Sequence, residues 1–172
     1  PLKIYLCDLT HDTIVLVSDT IPLNIGYVGA YCKKVHGENV SLKLFKYPQQ
    51  AIDAIKADPP DILGLSNYSW NSNLSERMAA FAKQASPETV TVQGGTNFSD
   101  ENDQQLRFLL TRLATDFHID LEGELSFSNL VSRVLAARDG EQELFDGAIE
   151  GCVYIQPETR GEAEPILVRG SR

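Results

Sequence analysis

The side chains of this chain that could do chemistry sit in four short polar stretches, each placed after an apolar run. They are Asp8-Leu9-Thr10-His11-Asp12-Thr13, Ser66-Asn67-Tyr68-Ser69-Trp70-Asn71, Gly94-Gly95-Thr96-Asn97 and Glu122-Gly123-Glu124. Asp8 and Asp12 could hold Mg²⁺ as an acidic pair, but no third carboxylate is placed to join them. Glu122 and Glu124 have the spacing of an acid/base pair and also that of carboxylates capping a helix. The capping reading is preferred, because a helix N-terminus favours negative charge. Cys7, Cys32 and Cys152 are an odd number at wide spacing, which fits neither a disulfide framework nor a metal or cluster motif, so they read as buried reduced thiols. His36 precedes Gly37 at a helix end, where an imidazolium suits the dipole. No nucleophile and base are paired, and the stretches look built to bind.

The elements that must position them alternate in type. The run Asp61 to Ser66 is apolar with a glycine inside, ends in a row of amides and aromatics, and is followed at once by a helical pattern. That is a buried strand delivering a polar loop. Further strands are expected at Lys3–Cys7, Val40–Phe45, Thr89–Val92 and Phe117–Leu121. Helices are expected from Ile25 to about Val35 with Asn24 as N-cap and Gly37 as stop, from Pro48 to Asp58, from Leu74 to Ala85, from Glu101 to Leu113 and from Leu125 to about Arg138. Apolar strands alternating with amphipathic helices specify a parallel sheet covered on both faces, with ligands beyond the carboxyl ends of its strands. Five such units predict an α/β, flavodoxin-like doubly wound sheet of order 2-1-3-4-5. Its crevice should lie at the switch point between the first and third strands, so that Asp8–Pro22 faces Ser66–Asn71. The first strand-to-helix connection is about a dozen residues long, and loops of that length tend to be functional. Gly26 and Gly29 suggest close backbone approach in the first helix.

After Gly140 the rhythm changes. Ala148–Ile155 and Ile166–Val168 read as strands separated by the polar turn Pro157–Pro165, either a hairpin or the start of a linker. The division expected is 1–140 for the binding domain and 141–172 for the strand pair leading toward a downstream domain. The chain begins on Pro1 and ends Arg169-Gly170-Ser171-Arg172 without a stop signal of its own, so it reads as a fragment of a longer protein.

Composition narrows the partners. With 172 residues, 42% hydrophobic and 23% charged, one domain with a modest extension is expected. A net charge of -9 with scattered Lys and Arg argues against a nucleic-acid surface. No window approaches the length of an apolar bilayer span and no leader pattern opens the chain, so no membrane partner and a cytoplasmic setting are expected.

Three ligand classes can be set against these loops. A flavin mononucleotide site needs a Ser/Thr/Gly-rich phosphate cradle after the first strand, and no glycine lies between Cys7 and Ile25. A phospho-receiver needs an Asp after the third strand and a Lys after the fifth, where this chain has Ser66 and Glu122. The third class comes from a resemblance. Ile21-Pro22-Leu23-Asn24-Ile25-Gly26-Tyr27, Pro60-Asp61-Ile62-Leu63-Gly64-Leu65-Ser66-Asn67-Tyr68, Gly94-Gly95-Thr96-Asn97, and Glu122-Gly123-Glu124 with Phe127 together resemble the N-terminal cobalamin-binding domain of cobalamin-dependent radical S-adenosylmethionine enzymes. Each motif is common alone, and the specificity lies in all four falling on one edge.

The resemblance implies a cobalamin-binding module, with S-adenosylmethionine and a [4Fe-4S] cluster belonging to a downstream radical domain of the full-length protein, whose reaction would be a methyl transfer or a cobalamin-assisted radical step. The cluster motif C-x-x-x-C-x-x-C is absent from these residues, so the segment alone should not be catalytic. A corrin presents amide arms and a flat apolar face. Ser66, Asn67, Asn71, Thr96 and Asn97 suit the arms, Tyr68 and Trp70 suit the face, and Gly94 and Gly95 would let the ligand tail pass close to the backbone. Thr10, His11, Leu23, Gly26, Glu122, Gly123 and Glu124 complete the expected cofactor-binding set. The wider fold often carries D-x-H-x-x-G, whose His ligates cobalt. Here His11 stands three residues after Asp8 with no glycine following, and Asp116-Phe117-His118 lies inside a strand, so cobalamin without a histidine on cobalt is expected. The rival reading is an interaction or regulatory domain of the same fold that has lost the cofactor.

Overall fold

The computed structural model describes residues 1–11, 21–120 and 122–171. The apolar run Leu2–Cys7 forms β1 at the centre of the sheet. It pairs in parallel with β2 (Val40–Phe45) on one side and β3 (Ile62–Ser66) on the other, and β4 (Val90–Gly94) and β5 (Phe117–Ile119) continue in parallel. Every residue of β3 is buried, as a strand covered on both faces requires, which is why its sequence does not alternate. Helices α1 (Leu23–His36), α2 (Pro48–Ala57), α3 (Ser72–Ala85), α4 (Asn102–Leu110) and α5 (Gly123–Arg138) connect the strands. Pro48 opens α2, where its missing N–H costs nothing, and Gly37 closes α1 at φ 55° with its N–H on the Lys33 carbonyl.

The expected order 2-1-3-4-5 is present and is extended by two antiparallel strands, β6 (Cys152–Ile155) and β7 (Leu167–Arg169), giving a seven-stranded sheet of order 2-1-3-4-5-6-7. The segment after Gly140 is therefore a hairpin within the sheet. Its Ile149, Cys152 and Tyr154 are buried with Val92, Phe117 and Phe127 in the main core cluster. The hairpin closes the β5 edge, which would otherwise present unpaired backbone groups.

Side chains alternate across the sheet. Leu6, Val92 and Ile119 face α1 and α5, whereas Tyr5, Cys7, Leu63 and Leu65 face α2 and α3. His36 Nε2 donates to the Ser128 carbonyl at 3.1 Å and thereby ties the end of α1 to α5, a contact beyond the dipole role expected of it. All three cysteines are free and buried.

Several boundaries differ from expectation. Helix α1 starts at Leu23 with Pro22 in the cap position, so Asn24 lies inside the first turn and does not cap. Helix α3 starts two residues early, at Ser72, because the Asn71 carbonyl already accepts from Ser75 N–H. Helix α4 stops at Leu110, leaving Leu113 77% exposed instead of on its apolar face. Helix α5 begins at Gly123 with Glu122 in the cap position, but no side chain caps it. Most of the long first connection, with Asp12 and the apolar residues Ile14 to Val17, lies outside the described residues. Among the described residues no helix is long and apolar enough to cross a membrane.

Candidate functional site

A cleft of about 470 Å³ opens at the carboxyl ends of β1, β3, β4 and β5, beneath the first turns of α1 and α5. Leu6, Gly64, Val92 and Ile119 floor it from the sheet, and Ile25, Val28 and Phe127 wall it from the two helices. Two glycines make this space. A Cβ on Gly64 would stand 2.6 Å from Leu6 Cδ2 and 3.4 Å from the Phe127 ring, and one on Gly95 would stand 2.6 Å from the Asn67 carbonyl oxygen, at a φ of 136° that suits glycine alone. A side chain at either position would press into the cleft floor or its rim.

The rim is held by polar groups that brace one another. Ser66 Oγ donates to Asp8 Oδ1 at 2.6 Å, and Asn71 Nδ2 donates to Ser66 Oγ at 2.8 Å and to the Leu9 carbonyl at 3.2 Å, which joins the first loop to the third. Asn71 Oδ1 accepts from the Tyr68 N–H at 2.9 Å and shapes the turn between them. Asn67 Nδ2 donates to the Asn97 carbonyl at 3.0 Å and to His118 Nε2 at 2.9 Å. His118 Nδ1–H donates to the Ile119 carbonyl at 2.8 Å, its ring is stacked on Phe98 with centroids 3.7 Å apart, and burial pushes its pKa down to about 3. It is thus a neutral imidazole whose free nitrogen fixes the orientation of the Asn67 amide. Across the mouth, Asn24 Nδ2 donates to the Tyr68 hydroxyl at 3.0 Å, and Tyr68 stacks on Trp70 with centroids 4.7 Å apart.

Of the residues expected from the sequence, Ser66, Tyr68, Gly94, Gly95, Thr96, Gly123 and Glu124 line the cleft together. Asn67 and Asn71 are fully buried behind it as braces, with Asn97 as the partner of Asn67. Thr10 holds the first loop to the second through its N–H on the Lys46 carbonyl. Leu23 and Trp70 are largely exposed beside the mouth, Glu122 is exposed, and Gly26 faces open space. His11 points elsewhere. Its Nε2 donates to the Trp70 carbonyl at 3.0 Å, and it borders a separate hollow with Arg77 and Arg112 on the side of α3. Asn24, Ile25, Val28, Phe98, Asp100 and Asp120 also line the cleft and are missing from the sequence-derived set. Asn24 was hidden by its fitness as a helix cap, whereas Asp120 had a usable signal, since it ends a strand on the ligand edge.

The donor set tests what this cleft could hold. Its body is apolar, which suits a flat or aromatic group, and its rim carries amide, hydroxyl and backbone groups together with the carboxylates of Asp100, Asp120 and Glu124. The Oδ1 of Asn24 is buried without a hydrogen-bond partner, an acceptor left open in a residue that lines the cleft. A neutral ligand rich in amide N–H donors fits that arrangement. Among the described residues no group of three or more His, Cys, Asp or Glu could hold a bare metal ion.

A doubly wound sheet with a glycine-floored cleft on its carboxyl edge defines a small-molecule-binding α/β domain. Residues 11–131 match the B12 binding domain family over more than half of the chain, and the chain belongs to that family. Among solved structures it is similar to the cobalamin-dependent S-adenosylmethionine radical enzyme OxsB with aqua-cobalamin and S-adenosylmethionine bound, at a TM-score of 0.68 and 16% identity over 99% of this chain and 22% of that one. The same enzyme with aqua-cobalamin bound gives 0.67 and 16%, and its apo, selenomethionine-labelled form gives 0.64 and 17%, with the same coverage. No curated protein sequence matches the chain. At that identity the likeness concerns the fold. The resemblance drawn from the four loop motifs holds: this is a cobalamin-binding module by family, resembling in fold the corresponding part of a cobalamin-dependent radical enzyme.

Proposed function

We propose that the chain binds cobalamin in the cleft between α1 and α5, as the cofactor module of a larger radical S-adenosylmethionine enzyme, with no histidine of this chain on cobalt. The observation that carries this reading is the glycine-floored apolar cleft with its unpaired Asn24 acceptor, in a chain of the B12 binding domain family. Gly64, Gly94 and Gly95 would admit the ligand tail along the sheet. Asn24, Ser66 and Thr96 would meet amide arms, and Tyr68 with Trp70 would cover a face of the ring. When bound, cobalamin supplies a cobalt centre able to exchange a methyl group or to assist a radical reaction.

The absence of a histidine ligand is supported by how the three histidines are used. His11 is committed to the Trp70 carbonyl, His36 to Ser128, and His118 to Asn67 and Ile119, and none of them lines the cleft. S-adenosylmethionine and a [4Fe-4S] cluster would come from a downstream domain of the same protein, in keeping with a chain that spans 22% of the similar enzyme. Three buried free thiols suit a reducing, cytoplasmic setting.

Loading the protein with hydroxocobalamin, reducing it to Co(II) and recording the electron paramagnetic resonance spectrum tests both parts. The expected result is bound corrinoid whose signal lacks nitrogen superhyperfine splitting. A three-line nitrogen pattern that disappears in His11→Ala would refute the ligation, and a protein that holds no corrinoid would refute the function.

A further inference from the structure

The family match ends at residue 131, yet the strand pair β6–β7 lies beyond it and touches residues that line the cleft. Arg169, on β7 opposite Val153, donates through Nη2 to the Asp100 carbonyl at 3.3 Å and to Gln105 Oε1, and stands 3.9 Å from the Asp120 carboxylate. Asp100 and Asp120 both line the cleft, and Glu124 adds a third carboxylate there. Gln105 is fully buried and donates in turn to the Ser99 carbonyl at 2.6 Å. The loop from Phe98 to Asp100 is therefore held by two successive carbonyls, from Gln105 and from Arg169. Apolar packing reinforces the hold, because Val153, Ile155 and Leu167 of the hairpin share a core cluster with Leu109 and Phe98, the ring stacked on His118.

We propose that the C-terminal strand pair supports the cofactor site, with Arg169 as the residue that positions the loop after β4 and supplies a counter-charge for Asp120 at the cleft. This rests on the cobalamin reading for the identity of the ligand, but the brace itself is a property of the free protein. The physical need is plain. Asp120 is 6% exposed, and a carboxylate so placed beside an entering uncharged ligand loses water it can replace only with a cation or donors. Arg169 brings a cation within 3.9 Å of that carboxylate while its planar guanidinium donates to the Asp100 carbonyl and to Gln105 Oε1, a combination that a point-charge lysine does not reproduce.

The test compares wild type with Arg169→Met, Arg169→Lys and the double variant Arg169→Met/Asp120→Asn. Hydroxocobalamin affinity is measured by visible titration, and hydrogen exchange of residues 98–101 is measured without ligand. Arg169→Met should bind about tenfold or more weakly, as removing one partner of a desolvated charge pair usually does, and Arg169→Lys should fall between it and wild type. Asp120→Asn in the same chain should recover the part of the loss due to the carboxylate left without that counter-charge while exchange at 98–101 stays raised, a recovery that a purely structural role for Arg169 would not allow. Exchange at 98–101 should rise in Arg169→Met and stay unchanged in β1–β3. Wild-type affinity together with unchanged exchange in Arg169→Met would overturn the proposal. Should Arg169→Met fail to fold, Arg169→Lys decides, since equal affinity and equal exchange there would overturn it too. A wild-type chain that binds no cobalamin would refute the functional reading and the counter-charge role, with the exchange data still deciding whether Arg169 braces the loop.

Discussion

His118 shows how a residue that looks like a ligand can be a brace. In the sequence it completes a D-x-H start, and only its place within β5 argues against metal chemistry. The structure gives it a job the sequence does not display, because its partners Asn67, Phe98 and Phe108 come from three other segments. Its burial has a thermodynamic consequence. The unfolded chain takes up a proton near pH 6.5 that the folded chain refuses until about 3, so this contribution is complete above 6.5 and drains away as pH falls through that window. Between pH 7 and pH 5 the wild type should lose about 2 kcal/mol more stability than His118→Gln, read from urea midpoints at the two values. Parallel losses in the two proteins would contradict the buried neutral imidazole. Gly95 is the other decisive residue. The pair Gly94-Gly95 was legible as a turn, but only the Asn67 carbonyl 2.6 Å from a would-be Cβ shows why the second glycine tolerates no substitution. Gly95→Ala should cost about 1–3 kcal/mol through its positive φ and this clash, measured by thermal or urea unfolding, and should weaken ligand binding.

At the scale of elements, the five βα units were legible because each apolar run is bounded by strong punctuation such as Asp58-Pro59-Pro60 and Pro87, and the order of the parallel strands followed from their number and spacing. What was not legible is where each element ends. The early stop of α4 goes with Arg160, far along the chain, donating to the Leu109 and Arg112 carbonyls, and Asn24 bonds to Tyr68 rather than to its own helix. The last strand pair was readable as strands but not as members of the sheet, since strand pairing across β5 leaves no local mark. Its contribution to the core is nevertheless large. Tyr154 is fully buried, its hydroxyl donates to the Gly147 carbonyl at 2.9 Å, and Phe145 stacks on Phe117 at 5.0 Å. A chain cut after Gly140 should therefore fail to fold, giving aggregated protein without a cooperative melting transition. A soluble truncated protein melting like the intact chain would show that the hairpin is dispensable.

For the whole molecule, the formal charge of -9 and the acidic groups at the cleft fit a neutral cofactor better than a polyanion, and the cleft holds apolar walls below a polar rim as such a ligand needs. The chain spans 22% of the length of the enzyme it resembles in fold. If cobalamin enters between α1 and α5, as proposed, filling that space from a helix wall must exclude it. Wild type and Val28→Trp, which fills the cleft from a helix wall without straining the backbone, are mixed with hydroxocobalamin, passed through gel filtration and read by visible absorbance after circular dichroism confirms folding. The wild type should retain about one corrinoid per chain, and Val28→Trp should retain little. Equal retention by both proteins would place the cofactor elsewhere and contradict the account.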